Sequence, residues 1–202
     1  MKYKKPWSWK RFVKRILLIV LIIVAGLFVF SLLSSAVTKN LDTYTYNLPF
    51  EEGTEHRVVQ GYGGLFSHKN IAALDFGMPV GTPVCAAREG VIYTFKDDSD
   101  EGGPLPEYKG KANFIIIKHN DGSFGCYWHL KKNGVVVKKG FVAKGQLIGY
   151  SGTTGFTLRP HLHFSVKRTL NYKMDSFVRT KFKTTNGIQL LKNRRSYERP
   201  SD

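Results

Sequence analysis

Residues 159–164 read Arg-Pro-His-Leu-His-Phe, which sets His161 and His163 two positions apart just ahead of an aromatic. On a β-strand successive side chains point to opposite faces, so positions i and i+2 share one, and both imidazoles lean toward the same point. Such a pair suits a metal ion, and a solvated strand face also produces it by chance. Partners elsewhere in the chain decide between the two, and with only six histidines in all the search is short.

Outward from this pair, short apolar runs alternate with glycine-rich turns from about Val58 to Lys167: VGTPVCAA, GVIYTF, NFIIIKH, FGCYWHL, VVVKKG, QLIGYSG and HLHFSV. Each is about as long as an average strand, and β-branched and aromatic residues dominate. Turn signals such as Asp121-Gly122 and Asn133-Gly134 separate them. The pattern predicts a mostly β domain with antiparallel strands. Residues 97–111, DDSDEGGPLPEYKGK, read as a polar surface loop between two of the strands.

Charge divides the chain differently. Lys and Arg total 31 against 15 Asp and Glu; seven of the basic residues precede position 16, and no acid precedes Asp42. Ile16 to Leu33 then run for eighteen residues without a charge and with Ser31 as the one polar side chain. That meets the length criterion for a membrane-spanning helix, and the basic flank places the N-terminus in the cytoplasm. The competing reading is a cleaved signal peptide, with Ser34-Ser35-Ala36 as small residues at the cut. An apolar core of such a peptide runs to about 7–15 residues, so length favours an uncleaved anchor.

The expected organisation is therefore a basic cytoplasmic segment over 1–15, a transmembrane signal anchor over 16–37, a tether over 38–57, the β domain over 58–168 and a basic C-terminal extension over 169–202 with no assigned function. Without its first fifteen residues the chain still carries a net charge of about +9, which suits an anionic partner or serves solubility. There is no basic helix and no aromatic stacking platform, so nucleic acid is not expected as a partner.

Four features recur along the β region: SHKNIAALDF with His68 and Asp75, PVGTPVCAAREGVI from Pro79 to Ile92, YWHL with His129, and RPHLHF. Together they resemble the lysostaphin-type, or LytM-like, zinc metallopeptidases. Pieces between them also follow in order, at Gly81 to Val91, His119 to Gly122, Val137 to Gly149 and Gly152 to Gly155. The likeness covers roughly Gln60 to Val166, and several ordered pieces are far more specific than one motif.

The resemblance implies a compact antiparallel two-sheet fold, zinc as cofactor, and His68, Asp75 and His163 as its ligands, with His129 and His161 acting beside the metal. Three protein ligands from His and carboxylate, with a fourth position left open, is the pattern of a catalytic zinc. It further implies an endopeptidase acting on peptidoglycan stem peptides or cross-bridges, here from the outer side of the cytoplasmic membrane. The other class is a non-catalytic module that binds peptidoglycan or activates a cell-wall amidase. One departure stands out: the commonest family spacing is H-x3-D, whereas six residues separate His68 from Asp75, and Ile71 sits four before the aspartate.

The remaining candidates read as structural. His119 lies at a strand end beside the Asp121-Gly122 turn, and His56 lies in the tether, though it is the next ligand candidate should His68 fail. Cys85 and Cys126 can pair or stay buried and free. Cys126 is no partner for His129, because i and i+3 on a regular strand face opposite ways.

Overall fold

A computed structural model describes residues 9–39, 41–64, 67–171 and 176–201. The N-terminal part forms one helix, α1 (Trp9–Lys39). Its charge-free side chains from Ile16 to Phe28 all lie exposed. The side chains over 29–39, and with them the end of the expected 16–33 span, fall outside the described residues. Among the described residues no helix is long and apolar enough to cross a membrane.

Residues from Leu41 onward make a second compact unit. Its strands are β1 (Leu41–Asn47), β2 (Glu55–Gln60), β3 (Ala73–Gly77), β4 (Pro83–Cys85), β5 (Gly90–Lys96), β6 (Gly102–Gly103), β7 (Asn113–Lys118) and β8 (Phe124–Val135). They continue with β9 (Phe141–Val142), β10 (Leu147–Ser151), β11 (Gly155–Phe156), β12 (His161–Lys167), β13 (Phe177–Thr184), β14 (Gly187–Gln189) and β15 (Ser196–Glu198). The backbone of the unit is one antiparallel path, β15-β2-β3-β12-β8-β7-β5-β9.

In place of two separate sheets, the ladder is continuous over 13 strands, with a small β11-β6 pair beside it. Two strands make it so. The first half of the 12-residue β8 pairs with β7 and β12, and its later half pairs with β10. Similarly, β12 pairs with β3 and β8 along its length and joins β13 at Val166 and Lys167.

Alternation along these strands separates core from site. Leu74 and Phe76 of β3, Tyr127 of β8, Ile115 and Ile117 of β7, and Leu162 and Phe164 of β12 point inward and are fully buried or nearly so. Asp75, Trp128, His161 and His163 take the other face and line a groove. The buried tyrosines are satisfied: the Tyr127 hydroxyl accepts from the Ala87 amide at 2.8 Å, and Tyr46 donates to Asp42 at 2.9 Å.

Residues 41–57 and 176–198 are built into this unit, which corrects the expected tether and extension. Strand β1 pairs in parallel with β13, and Tyr46, Leu48 and Phe50 are wholly buried. Phe182 of β13 packs its ring against those of Tyr46, Phe76 and Phe164, with centroids 6.2, 6.4 and 5.9 Å away. Leu191 and Tyr197 join the same core. The apolar residues of these segments are sparse, so no periodicity announces them, but the sheet face they cover needs them.

The 97–111 loop is also more than surface filler. Its Gly102 and Gly103 pair with Gly155 and Phe156 as the β6-β11 ribbon, which ties the loop to the segment leading into β12. Gly155 has φ +81°, and a Cβ there would meet Ala112 at 2.5 Å.

Candidate active site

Four elements converge on one face of the sheet. Strand β12 pairs with β3 so that His163 lies opposite Asp75 and His161 opposite Gly77. On its other side β8 places Trp128 opposite His163. His68 enters from the loop before β3, where the Ile71 amide donates to the His68 carbonyl at 3.0 Å and closes a turn. A turn and a short run thus absorb the extra residues between His68 and Asp75, because a loop imposes no ligand register.

The result is a tight donor cluster. Asp75 Oδ1 is 2.8 Å from His163 Nδ1 and 3.1 Å from His68 Nε2, while the two imidazole nitrogens are 3.2 Å apart. His68 is fully buried and Asp75 nearly so. The ring of His68 is oriented from behind: its Nδ1 lies 3.0 Å from the Gly61 carbonyl. A carbonyl can only accept, so Nδ1 carries the proton and Nε2 turns a lone pair toward the cluster. Burial would raise the Asp75 carboxyl, but the adjoining His163 and His68 rings outweigh it and hold the group well below the usual carboxylate range. Two imidazole lone pairs and one ionised carboxylate, within 4.8 Å of one another, are a donor set that fits a zinc ion with one position open.

His161 and His129 flank this cluster. His161 Nε2 is 3.6 Å from Asp75 Oδ1, and the His129 and His161 rings lie 4.6 Å apart. Each is fixed by a backbone carbonyl at Nδ1, Thr154 for His129 at 2.6 Å and Arg159 for His161 at 2.9 Å. Both therefore present an unprotonated Nε2. Burial, then the nearby His161 and His163, holds His129 down at about 3, and burial likewise lowers His161.

His129 reaches the groove by an irregularity. Between Asn113 and Phe114 of β7 the register slips, so that Trp128 and Leu130 are paired and His129 is the extra residue of a bulge. Its φ is +66°, in the left-handed region that non-glycine residues rarely occupy. The bulge re-aims the side chain, and Cys126, Trp128 and His129 all line the same groove. The alternation that set Cys126 apart from His129 does not hold across this bulge. Burial instead removes the thiol from contention as a nucleophile by pushing it up to about 12. Cys85 and Cys126 are both buried and free.

The other histidines stay outside the cluster. His56 packs its ring on Phe50, 4.7 Å between centroids, and His119 lies 2.7 Å from the Glu89 carbonyl beside the Asp121-Gly122 turn. The groove itself encloses about 730 Å³. The carbonyls of Gly61, Thr154 and Arg159, which orient the rings, left no trace in the sequence, since any residue type supplies a carbonyl.

Comparisons with known proteins bear on the same region. The model of peptidase family M23 matches residues 69–175, beginning one residue after His68. The peptidoglycan DD-endopeptidase ShyA of Vibrio cholerae is 38% identical over 93 residues, 46% of this chain and 19% of that protein. Lysostaphin of Staphylococcus simulans is 40% identical over 92 residues, 45% of this chain and 17% of its own. The solved catalytic domain of lysostaphin is 28% identical, covers 61% of this chain and 86% of that one, and superposes with a TM-score of 0.44. The chain thus spans about a fifth of the length of these curated relatives.

Proposed function

The chain belongs to peptidase family M23, and from that premise we propose that it is a zinc-dependent endopeptidase hydrolysing peptide bonds in peptidoglycan stem peptides or cross-bridges. The observation that carries the reading is the convergence of His68, Asp75 and His163 on one point, with the Nε2 atoms of His129 and His161 turned free beside it. Relatives named for peptidoglycan or glycyl-glycine cleavage support the substrate class.

His68, Asp75 and His163 would hold the zinc, which supplies Lewis acidity toward a carbonyl and a bound water. The remaining chemistry is the chain's own. A neutral imidazole whose Nδ1–H is committed to a carbonyl can accept a proton only at Nε2, so His161 or His129 takes the proton of the attacking water there. Having done so, the same Nε2–H becomes a donor, first to the oxyanion and then to the leaving amine. Two such rings side by side let one accept while the other positions. The groove aligns an extended peptide across these groups.

The decisive experiment incubates the purified full-length protein, in mild detergent, with peptidoglycan of known chemistry and analyses released fragments by mass. Cleavage of stem or bridge peptide bonds should stop with chelator and return with added zinc. Release of nothing under any condition, with zinc bound, would instead favour a binding module.

We further propose that α1 anchors the enzyme in the cytoplasmic membrane with Met1 to Arg15 inside and the β unit outside. Support comes from the basic flank and from the charge-free, exposed run beginning at Ile16. N-terminal sequencing of the mature protein from membranes should find the original start. A start near Val37 would show a cleaved signal and a released enzyme.

A further inference from the structure

The segment that leads into β12 forms one lip of the groove, with Phe156, Thr157, Leu158 and Arg159 all lining it. Its backbone is held at several points. The Thr157 amide donates to the Gly103 carbonyl at 2.9 Å, so the β6-β11 ribbon carries the lip. Buried Thr157 then closes a bend: its hydroxyl donates to the Arg159 carbonyl at 2.8 Å and accepts from the Arg159 amide at 3.3 Å. The same carbonyl takes the Nδ1 proton of His161 at 2.9 Å, and Pro160 restricts the residue before it to extended conformations. The Arg159 backbone is thus pinned to the ring of a groove histidine two positions away.

Its side chain is uncommitted. The guanidinium stands exposed, and among the described residues no hydrogen bond, ion pair or ring contact engages it. Four acids of the 97–111 loop, which the ribbon ties to this lip, are instead paired with Lys96, Lys111, Lys132 and Lys138. Asp75 is the one carboxylate among the described residues that line the groove, and it is committed to His68 and His163. The other cation of the groove, Lys167, is engaged within the chain, with its Nζ over the Phe177 ring at 4.6 Å. The lip therefore presents a free planar fork beside His161, and the groove holds no uncommitted acid to fill it. A guanidinium matches a carboxylate with two parallel N–H bonds, so the fitting partner is an acid that the substrate brings. Leu158, 78% exposed next to it, offers an apolar surface for the stem that carries such an acid.

We propose that Arg159 reads a free carboxylate of the substrate, so that the enzyme selects peptides carrying an acidic group one or two residues from the bond it cuts. At a rise of about 3.3 Å per residue the Arg159 and His161 backbones stand about 7 Å apart, and an extended peptide has the same rise, which sets that spacing. An exposed ion pair contributes little when two long side chains must be ordered to make it. Here the Arg159 backbone is already pinned and the groove aligns the peptide, so less ordering remains when the pair forms. The inference rests on the peptidase reading and goes beyond it by stating what the substrate must carry.

The test uses synthetic cross-linked stem peptides, identical except that a single carboxylate, one, two or four residues from the scissile bond, is free or amidated. The acid is placed in one series on a side chain and in the other at a chain end, which separates the two sources of the same group. Wild type and Arg159→Gln are compared for kcat/KM by mass analysis, and for binding by calorimetry in a His129→Ala background, which leaves the contact between His161 and the Arg159 carbonyl in place. The acid-to-amide ratio is read within each protein, so any change in the hold on His161 cancels; zinc content and circular dichroism verify that Arg159→Gln is folded. Wild type should prefer the free acid one or two residues out by about tenfold, the range of a charge-assisted hydrogen bond, and Arg159→Gln should bring the ratio close to one. Equal use of acid and amide at every position, a preference confined to four residues out, or a preference that survives Arg159→Gln overturns the inference and leaves the peptidase reading intact. An Arg159-dependent preference in binding, with no cleavage of any peptide, upholds the inference and removes the peptidase reading. No cleavage together with equal binding of acid and amide overturns both.

Discussion

Replacing His163 with alanine should abolish bound zinc and peptidoglycan cleavage together, whereas His161→Ala and His129→Ala should keep the zinc and lose turnover by on the order of 10² or more. The split follows from where each lone pair points. His163 Nδ1 and His68 Nε2 both lie within 3.2 Å of Asp75 Oδ1, which makes these three groups one donor set. His161 and His129 turn Nε2 toward the same region from rings tied to the Arg159 and Thr154 carbonyls, and His161 Nε2 lies farther from Asp75, at 3.6 Å. In the proposed mechanism their loss removes a proton acceptor and donor, not a ligand. His68→Ala and Asp75→Ala should behave like His163→Ala, because each deletes one of the three groups proposed to hold the metal. Zinc by atomic emission and cleavage are measured on the same preparations, with circular dichroism to exclude unfolding. Loss of zinc in His161→Ala with retention in His163→Ala would reverse the roles within this strand. Full retention in His68→Ala would remove the loop histidine from the site.

That histidine shows how unevenly the site was written into the sequence. The His161/His163 pair was legible because β12 is regular, and a period of two puts both rings on the face opposite Leu162 and Phe164. The place of Asp75 followed from the motif around it, and the structure sets it directly opposite His163. His68 carried less information. Six intervening residues define no geometry in a loop; what brings it in is the Ile71–His68 turn and the hold of the Gly61 carbonyl on its Nδ1. His129 was named from its motif, but a regular strand would have aimed it away from Trp128 and Cys126. Only the bulge, with φ +66° at His129, turns it into the groove. Backbone conformations of this kind depend on the neighbouring strand's register, which one segment of sequence does not contain.

The fold was legible where strands are long and apolar and obscure where they are short and mixed. Ile115 to Ile117 and Leu162 to Val166 declare themselves, whereas LDTYTYN and FVRTKFKT spread their inward residues among polar ones. The second kind became strands because each found a partner: β1 on β13, and β13 on the end of β12. Their few buried side chains are therefore concentrated where the core of the better-marked strands would otherwise be open.

Phe182→Ala accordingly should destabilise the β unit by about 3–5 kcal/mol, the range for deleting a large aromatic from a packed core. The ring is fully buried and touches Tyr46 from β1, Phe76 from β3 and Phe164 from β12, so its removal leaves a cavity shared by three strands. Of these, β3 lies between β2 and β12, and β12 between β3 and β8, which limits how far they can collapse into the gap. For a unit of this size the loss corresponds to a fall in Tm of roughly 6–20 °C. Lys181→Ala, one position away and pointing outward, should stay within about 0.5 kcal/mol of wild type. If 169–202 were an appendage, the two variants would melt together at the wild-type temperature. A large gap between them, read by calorimetry on the zinc-loaded protein, places β13 inside the cooperative unit that also carries His163, and explains why trimming this basic tail should cost activity although none of its described residues belongs to the donor cluster.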